Sequence, residues 1–559
     1  MKNTLSVLIA LSLLFHAAQA GEGRVPGSGE DFTRKDRTEL LFQTKFQFTP
    51  ENVPVVTVGI VEGVGDVAFS SEGPLVFQPE GEGGPTVRVG RSRIDCIATI
   101  EDSRPAVIRY WAALERVPAM SLATVREARK RWTDKGLNIR TFEQGSVFGF
   151  YGRVLDNRRV VIVEDVPFAD RAAAMKRLDE LTSSHGLSTP EPYEEVLSRP
   201  DGRVRVRCTN VDAAMAFPGI VTVSPSAGKT IRVRNVEFHK LYGQGKSEDR
   251  SYRGNLILTA DRSGRLAVVN QIDAETLLKG LVPSEIFTES PMEALKAQAV
   301  VARGELFAKL GNRHTADPYM VCADVHCQSY RGLEREHPRA SRAVEETAGM
   351  MAFHEGALVD SVYSSSCGGH SEAGANVWQG SNHPYLGGTP DLPDKTRTRL
   401  FKDGVTEKAV RDYIDNPPKD AFCGRSRFGK STFRWSSTLS FSAISEGVAK
   451  ETGVSIGQFT EFEVLHRGVS GRITRLRVKG SSGSVDIAPE LRIRRALGSL
   501  KSSAFYFDVG NGSVTFRGAG FGHGVGMCQN GAIGMADAGI RYDEILKHYF
   551  SGSEIVKIY

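Results

Sequence analysis

The chain has 559 residues but little net charge, with 71 basic side chains against 66 acidic ones, a balance of +5. So small an excess favours solubility and a weak attraction to anionic polymers, and does not argue for a nucleic-acid partner. Past the first 20 residues no apolar run is long enough to span a bilayer, so no membrane span is expected after that point. No Cys follows Ala20, which argues against a lipoprotein. The glycine-rich stretch near the C-terminus lacks the Lys-Ser/Thr of a phosphate loop and the acid that binds a ribose, so nucleotide chemistry is not indicated. Cysteines are few and odd in number: Cys96, Cys208, Cys322, Cys327, Cys367, Cys423 and Cys528. At least one is therefore free, metal-bound or paired between chains.

The length implies several domains, two to four. Residues 1–20 read as a secretory leader: Lys2, an apolar run from Leu5 to Phe15, and the cleavage site Ala18-Gln19-Ala20. Export is the expected fate, with the periplasm preferred to secretion. Residues 21–105 are β-rich after a polar lead-in, with Gly- and Pro-bounded runs such as VPVVTVGIVEG. Residues 106–200 carry an internal repeat. Trp111–Asn138 and Val161–Ser188 each hold a strand, Val-Pro, an amphipathic helix and Gly-Leu, with Pro-to-Gly spacings of 18 and 19 residues. Two βαβ units of this size predict a small ferredoxin-like domain. From 201 the chain alternates in β fashion again and runs to 559 as the last domain, with an aperiodic Pro- and charge-rich insertion at about 388–435. The fold class expected is therefore α+β and multi-domain.

Three clusters carry chemistry. In Leu281–Lys309, Ser290-Pro291-Met292-Glu293 predicts a capped helix start, and Met292, Leu295, Ala299, Ala302 and Leu306 its buried face. Glu285 is placed on the turn before it, among apolar neighbours that would desolvate a general acid. On residue type alone, a solvated surface carboxylate is the plainer reading. His314, Cys322, His326 and Cys327 fall within fourteen residues and offer the four N/S ligands of a closed tetrahedral zinc site. Cys367 and His370 are alternative ligands, and a Cys322–Cys327 or Cys327–Cys367 disulfide is the competing reading. In Gly518–Gly534 glycines recur at every second position from Gly518 to Gly526. Such a turn would present His523 and Gln529 to sugar hydroxyls or acetamido groups, or keep His523 as a structural turn residue.

VPSEIFTESPMEALKAQAVVAR resembles the signature of the stage II sporulation protein D / LytB amidase-enhancer family, with Ile286 for the usual Met and Gly304 where Thr is common. HCQSYRG (326–332), SSSCGGHSE (364–372), Trp378 with PYL (384–386) and GFGHGVGMCQNGA (520–532) continue the resemblance in order. The resemblance implies a peptidoglycan lytic transglycosylase that forms 1,6-anhydro sugar ends, with Glu285 as its single acid/base. It implies a groove in which Ser365, Ser366, Gly368, Gly369, His523 and Gln529 bind glycan, and raises the expectation of structural zinc. Some members enhance cell-wall amidases, so a non-catalytic wall-binding role is the second reading. The 106–200 repeat is similar to the SPOR fold, which binds peptidoglycan glycan strands; a plain α+β spacer is its alternative. A zinc amidase would need three ligands and a separate base, and the motif order does not resemble one.

Overall fold

The computed structural model describes residues 41–42, 47–79, 86–150, 153–187, 189–238, 246–393, 401 and 404–559. The expected leader at residues 1–20 lies outside them. Strands on both sides of the repeat share sheets. Pro54–Val64 pairs with Leu266–Asp273, and Asp201–Cys208 pairs with Ile94–Arg104. The described strands of 47–104 and 201–273 thus form one double-sheet body, and the repeat is inserted into it. The inner faces share one core, including Val58, Phe69, Val206 and Val268. Alternation explains the pairing. In Asp201–Cys208, Val204, Val206 and Cys208 point inward while Arg203, Arg205 and Arg207 stay exposed. This register sets Cys208 opposite Cys96, where the two form a disulfide.

The inserted unit consists of β1 (Val107–Pro118), α1 (Leu122–Asp134), β2 (Ile139–Gln144), β3 (Arg159–Phe168), α2 (Arg171–His185) and β4 (Glu191–Ser198). Its antiparallel sheet runs β4-β1-β3-β2, the strand order of two interleaved βαβ units. Trp132 of α1 and Leu178 and Leu181 of α2 pack on Ala112, Leu114 and Ile162 of the sheet. The unit also reaches into the main body. Asn157 Nδ2 donates to the carbonyls of Ala308 (3.1 Å) and Leu310 (2.7 Å), and Gln144 Nε2 to that of Asn312 (2.9 Å).

Two helices carry the site. In α3 (Ala274–Glu285), Asp273 caps the N-terminus through Thr276 N (2.9 Å). Burial of Leu277, Leu278, Leu281 and Val282 carries the helix through Pro283, so Glu285 is its last residue and not part of a separate turn. In α4 (Met292–Ala308), Pro291 holds the N-cap position that the sequence assigns to Ser290. Ser290 Oγ is buried without a partner, and Glu293 accepts from Tyr542 N (2.9 Å) instead of closing a capping box. Residues 294–307, apart from Lys296, are buried on every face of α4 and not on one stripe, because α4 runs through the body's centre.

Arg303 of α4 makes a bidentate pair with Glu275 of α3 (both 2.7 Å) and donates to Met350 O (3.0 Å), while Tyr559 OH donates to Glu275 Oε1 (2.6 Å). The expected insertion is also more regular than its composition suggests. Glu407–Asp415, Phe422–Arg425 and Lys430–Phe433 are helical, and Asp391 and Cys423 are fully buried. Among the described residues no helix is long and apolar enough to cross a membrane. Removing one partner of a buried ion pair strands the other charge. Arg303→Met should therefore cost about 3–5 kcal/mol in denaturant unfolding, with much of it recovered in Glu275→Leu/Arg303→Met.

Candidate active site

Glu285 ends α3, at the negative end of the helix dipole. Two segments distant in sequence hold it. Ser329 N donates to Glu285 Oε1 (2.5 Å), and Gln529 Nε2 donates to the Glu285 carbonyl (2.9 Å) and to Gln298 Oε1 (3.1 Å). Gln529 opens α5 (Gln529–Asp537). The Tyr363 hydroxyl also acts on the Glu285 carboxyl. Tyr363 donates to Gln328 Oε1 (2.9 Å), and Gln328 is anchored on Ala302 O (3.1 Å).

Burial pushes the Glu285 carboxyl from 4.5 up to about 7, against the opposing pull of Ser329, Tyr363 and the Lys309 charge. Solvent still reaches part of the side chain, so the group is shielded but not sealed. Lys309 is buried at the end of α4 beside Glu305. Burial and the Arg313 charge lower its ammonium to about 7, while Glu285 works in the opposite direction. A carboxyl that changes protonation near neutrality can both give and take a proton.

His523 stands at the half-exposed rim, its ring edge-on to Trp378 with centroids 4.7 Å apart. Burial, with the charges of Lys309, Arg472 and Arg494, lowers the ring to about 3, so it is neutral. Val525 N donates to its Nδ1 (3.0 Å), which leaves the proton on Nε2. Lys309 acts on both His523 and Glu285, which puts the glycine-histidine turn and the carboxylate helix within electrostatic reach of one side chain. Phe287 is 57% exposed and stacked on Phe428 (4.5 Å), and Phe521 is 37% exposed. These aromatic surfaces flank Glu285 and His523 in sequence.

Of the other expected glycan contacts, Ser365 stays half-exposed, while Ser366, Gly368, Gly369 and Gln529 are buried within the wall. Ser366 is buried and exchanges backbone bonds with Phe521 (3.1 and 2.8 Å). The Ser365 carbonyl accepts from Asn530 N (3.1 Å) and Nδ2 (2.8 Å). Gly368 has φ +78, and a Cβ there would lie 2.7 Å from Gly520 N. At Gly369 a Cβ would collide with the Tyr413 hydroxyl. Gly368 lets two backbones touch, and Gly369 makes room for the Tyr413 ring. Gln529 positions Glu285 and its amide nitrogen is already used.

His314, Cys322, His326 and Cys327 come together, with their ligand atoms all within 4.8 Å of one another. His314 Nε2 lies 3.2 Å from Cys327 Sγ, and His326 Nδ1 lies 3.7 Å from Cys327 Sγ and 3.8 Å from Cys322 Sγ. A tetrahedron of zinc–ligand bonds has edges of about 3.3–3.8 Å, so this donor set fits the ion. His314 Nδ1 is held by Asp317 Oδ2 (2.9 Å), the carboxylate support usual for a ligating histidine. Cys322 and Cys327 carry free thiols. Cys367 and His370 are not in this set. Cys367 sits with Asp391, Cys423 and Cys528, and His370 Nδ1 bonds Ser371 O (2.6 Å).

Ser329, Tyr363, Lys309, Gln298 and Asp317 were not foreseen. Ser329 lies inside the quoted HCQSYRG motif and Tyr363 just before SSSCGG, but no local spacing connects either to Glu285.

The fold and site define an α+β protein with a shielded carboxyl, Glu285, at a helix end beside a Cys/His loop. Residues 262–354 match the family described as Stage II sporulation protein, and residues 372–526 match Domain of unknown function (DUF8618). An uncharacterised protein of Brachyspira hyodysenteriae is 30% identical over 291 residues, covering 52% of this chain and 68% of that protein. The Amidase enhancer of Bacillus subtilis is 30% identical over 303 residues, 50% of this chain and 40% of the enhancer. Stage II sporulation protein D of Bacillus amyloliquefaciens is 27% identical over 301 residues, 51% of this chain and 75% of that protein. The chain belongs to the stage II sporulation protein D / LytB amidase-enhancer family.

The raised Glu285 value has a consequence for stability. Between pH 4.5 and about 7 the folded chain keeps a proton that the unfolded chain gives up. Stability from this residue is complete at lower pH and is lost as pH rises through about 7. Glu285→Gln should therefore gain about 1–3 kcal/mol over the parent above neutral pH relative to acid, after allowing for partial solvent access. Parallel pH profiles of unfolding free energy in the two proteins would refute this.

Proposed function

We propose that this chain is an exported peptidoglycan lytic transglycosylase acting in the periplasm, with Glu285 as its single acid/base. The observation that carries the reading is a carboxyl raised to about 7 and held at a helix end by Ser329 N. Protonated Glu285 gives its proton to the glycosidic oxygen between N-acetylmuramic acid and N-acetylglucosamine, and the bond from that oxygen to muramyl C1 breaks. The carboxylate then takes the proton of the muramyl C6 hydroxyl as that oxygen bonds to C1, closing a 1,6-anhydro ring. Glu285 ends the cycle protonated. An ordinary glycosidase uses a second carboxylate as base or nucleophile; here the substrate supplies its own nucleophile. The Ser329 amide supports the carboxylate between the two proton transfers. The neutral His523 serves as a fixed polar wall and not as a base. Phe287 and Phe521 offer the apolar surface a sugar face needs.

His314, Cys322, His326 and Cys327 would hold a zinc ion whose contribution is structural, since four protein ligands close its coordination. Their loop leads directly to Ser329, so fastening it keeps the amide at Glu285. The repeat unit is proposed as SPOR-like, docking a glycan strand on its helix-free face, where Phe142 and Tyr193 stack (4.7 Å).

The second reading is a non-catalytic peptidoglycan-binding protein that stimulates a cell-wall amidase. It is favoured by the relative named Amidase enhancer and by the internal use of Gln529 and Ser366, which leaves few free groups for a transition state.

Mass spectrometry of digests of denuded and peptide-bearing glycan strands separates the two. Anhydromuramyl ends should appear with the parent and fall by about 100- to 10,000-fold in Glu285→Gln, the range for loss of an acid/base group. No cleavage of either substrate, together with stimulation of an amidase, would establish the second reading. Cys322→Ser should remove one zinc ion per chain and lower the melting temperature; a purified parent protein containing no zinc would exclude the metal.

A further inference from the structure

Behind the groove wall lies a second cluster that the transglycosylase reading does not use. Cys367, Asp391, Cys423 and Cys528 are all buried, with their ligand atoms within 4.8 Å of one another. They come from four separate segments: the SSSCGG run, the loop after Pro390, the helix Phe422–Arg425 and the N-cap of α5. We propose that these residues form a second, structural zinc site that clamps the groove wall.

The geometry points to a metal in several ways. Cys367 Sγ and Cys423 Sγ are 3.8 Å apart, close to the about 3.8 Å edge of a tetrahedron with zinc–sulfur bonds. Backbone amides point at the sulfurs as acceptors. Cys528 Sγ receives Cys367 N (3.1 Å) and Gly531 N (3.2 Å), and Cys367 Sγ receives Gly369 N (3.4 Å). Such bonds support thiolates in a metal site. Cys528 also sits at the positive end of α5. The carboxylate is oriented on both oxygens, with Tyr549 OH donating to Oδ1 (2.6 Å) and Cys423 N to Oδ2 (2.7 Å). Each oxygen keeps a lone pair for a metal.

Three thiolates and a carboxylate on zinc carry the same double negative charge as an all-cysteine zinc site. Buried Arg472, which donates to Cys367 O (3.2 Å), offsets part of it. Soft sulfur donors in a tetrahedral set favour zinc over hard cations. The competing chemistry is a Cys367–Cys423 disulfide, which would leave Cys528 and Asp391 buried without a shared partner. The clamp bears on the groove, because Cys367 precedes Gly368 and Gly369, and Cys528 precedes the Gln529 that holds Glu285.

The test uses the full chain. Cys322→Ser empties the Cys/His set, so zinc retained in that variant reports the second cluster alone. One zinc per chain is expected there, with an X-ray absorption shell of three sulfurs and one oxygen, and the zinc should disappear when Cys423→Ser is added. If the double variant fails to fold, Asp391→Asn in the Cys322→Ser background serves instead, with an expected melting-temperature drop and zinc loss on mild chelation. Zinc-free Cys322→Ser protein, or a Cys367–Cys423 disulfide mapped in unreduced protein, would overturn the proposal. Neither outcome bears on whether Glu285 cleaves glycan.

Discussion

Glu285 is held from both ends by residues far from it in the chain. Its carboxyl takes the Ser329 amide from 44 residues downstream, and its carbonyl takes Gln529 from 244 residues downstream. The grip turns a flexible side chain at a helix end into a group of defined position, and the surrounding burial sets its protonation. Both depend on α3 and α4 staying in register. The buried Arg303–Glu275 pair enforces that register, since neither charge tolerates losing the other.

The inserted βαβ unit contributes to the same constraint. The last carbonyls of a helix have no partner within it. At the end of α4 two nearby carbonyls are satisfied by Asn157 of the inserted unit. Lys309 sits at that end, and its charge reaches both Glu285 and His523. The unit is thus tied to the electrostatics of the cleft as well as to its neighbours in the fold, and a change at its edge would be felt at Lys309.

Much of this was legible in the chain. Period-two alternation marked the strands, and the repeated Val-Pro, helix, Gly-Leu pattern marked the two βαβ units. The family motifs marked Glu285 and the Cys/His loop. Helix boundaries were less legible. Glu285 was expected on a turn, but burial of the apolar run around Pro283 continues the helix to it. Ser290 looked like a cap, and its burial placed Pro291 there instead. The expected glycan contacts Ser366, Gly368, Gly369 and Gln529 had the right chemistry, but packing consumed it within the wall. The polar stretch around 388–435 read as a surface loop because its buried residues, among them Asp391, Val410, Ile414, Phe422 and Cys423, follow no sustained period.

The sequence by itself determined the α+β class, the paired βαβ units, the family and the clustering of two histidines and two cysteines. These rest on periodicity and on residues close together in the chain, where spacing alone limits geometry. The tertiary structure decided that the β-rich regions before and after the repeat form one body, that Cys96 pairs with Cys208, and that Cys367 joins Cys423, Cys528 and Asp391. It also decided that Ser329, Tyr363 and Lys309 surround Glu285. Each of these brings together segments separated by tens to hundreds of residues, and only burial of a common core selects which of the many possible pairings forms.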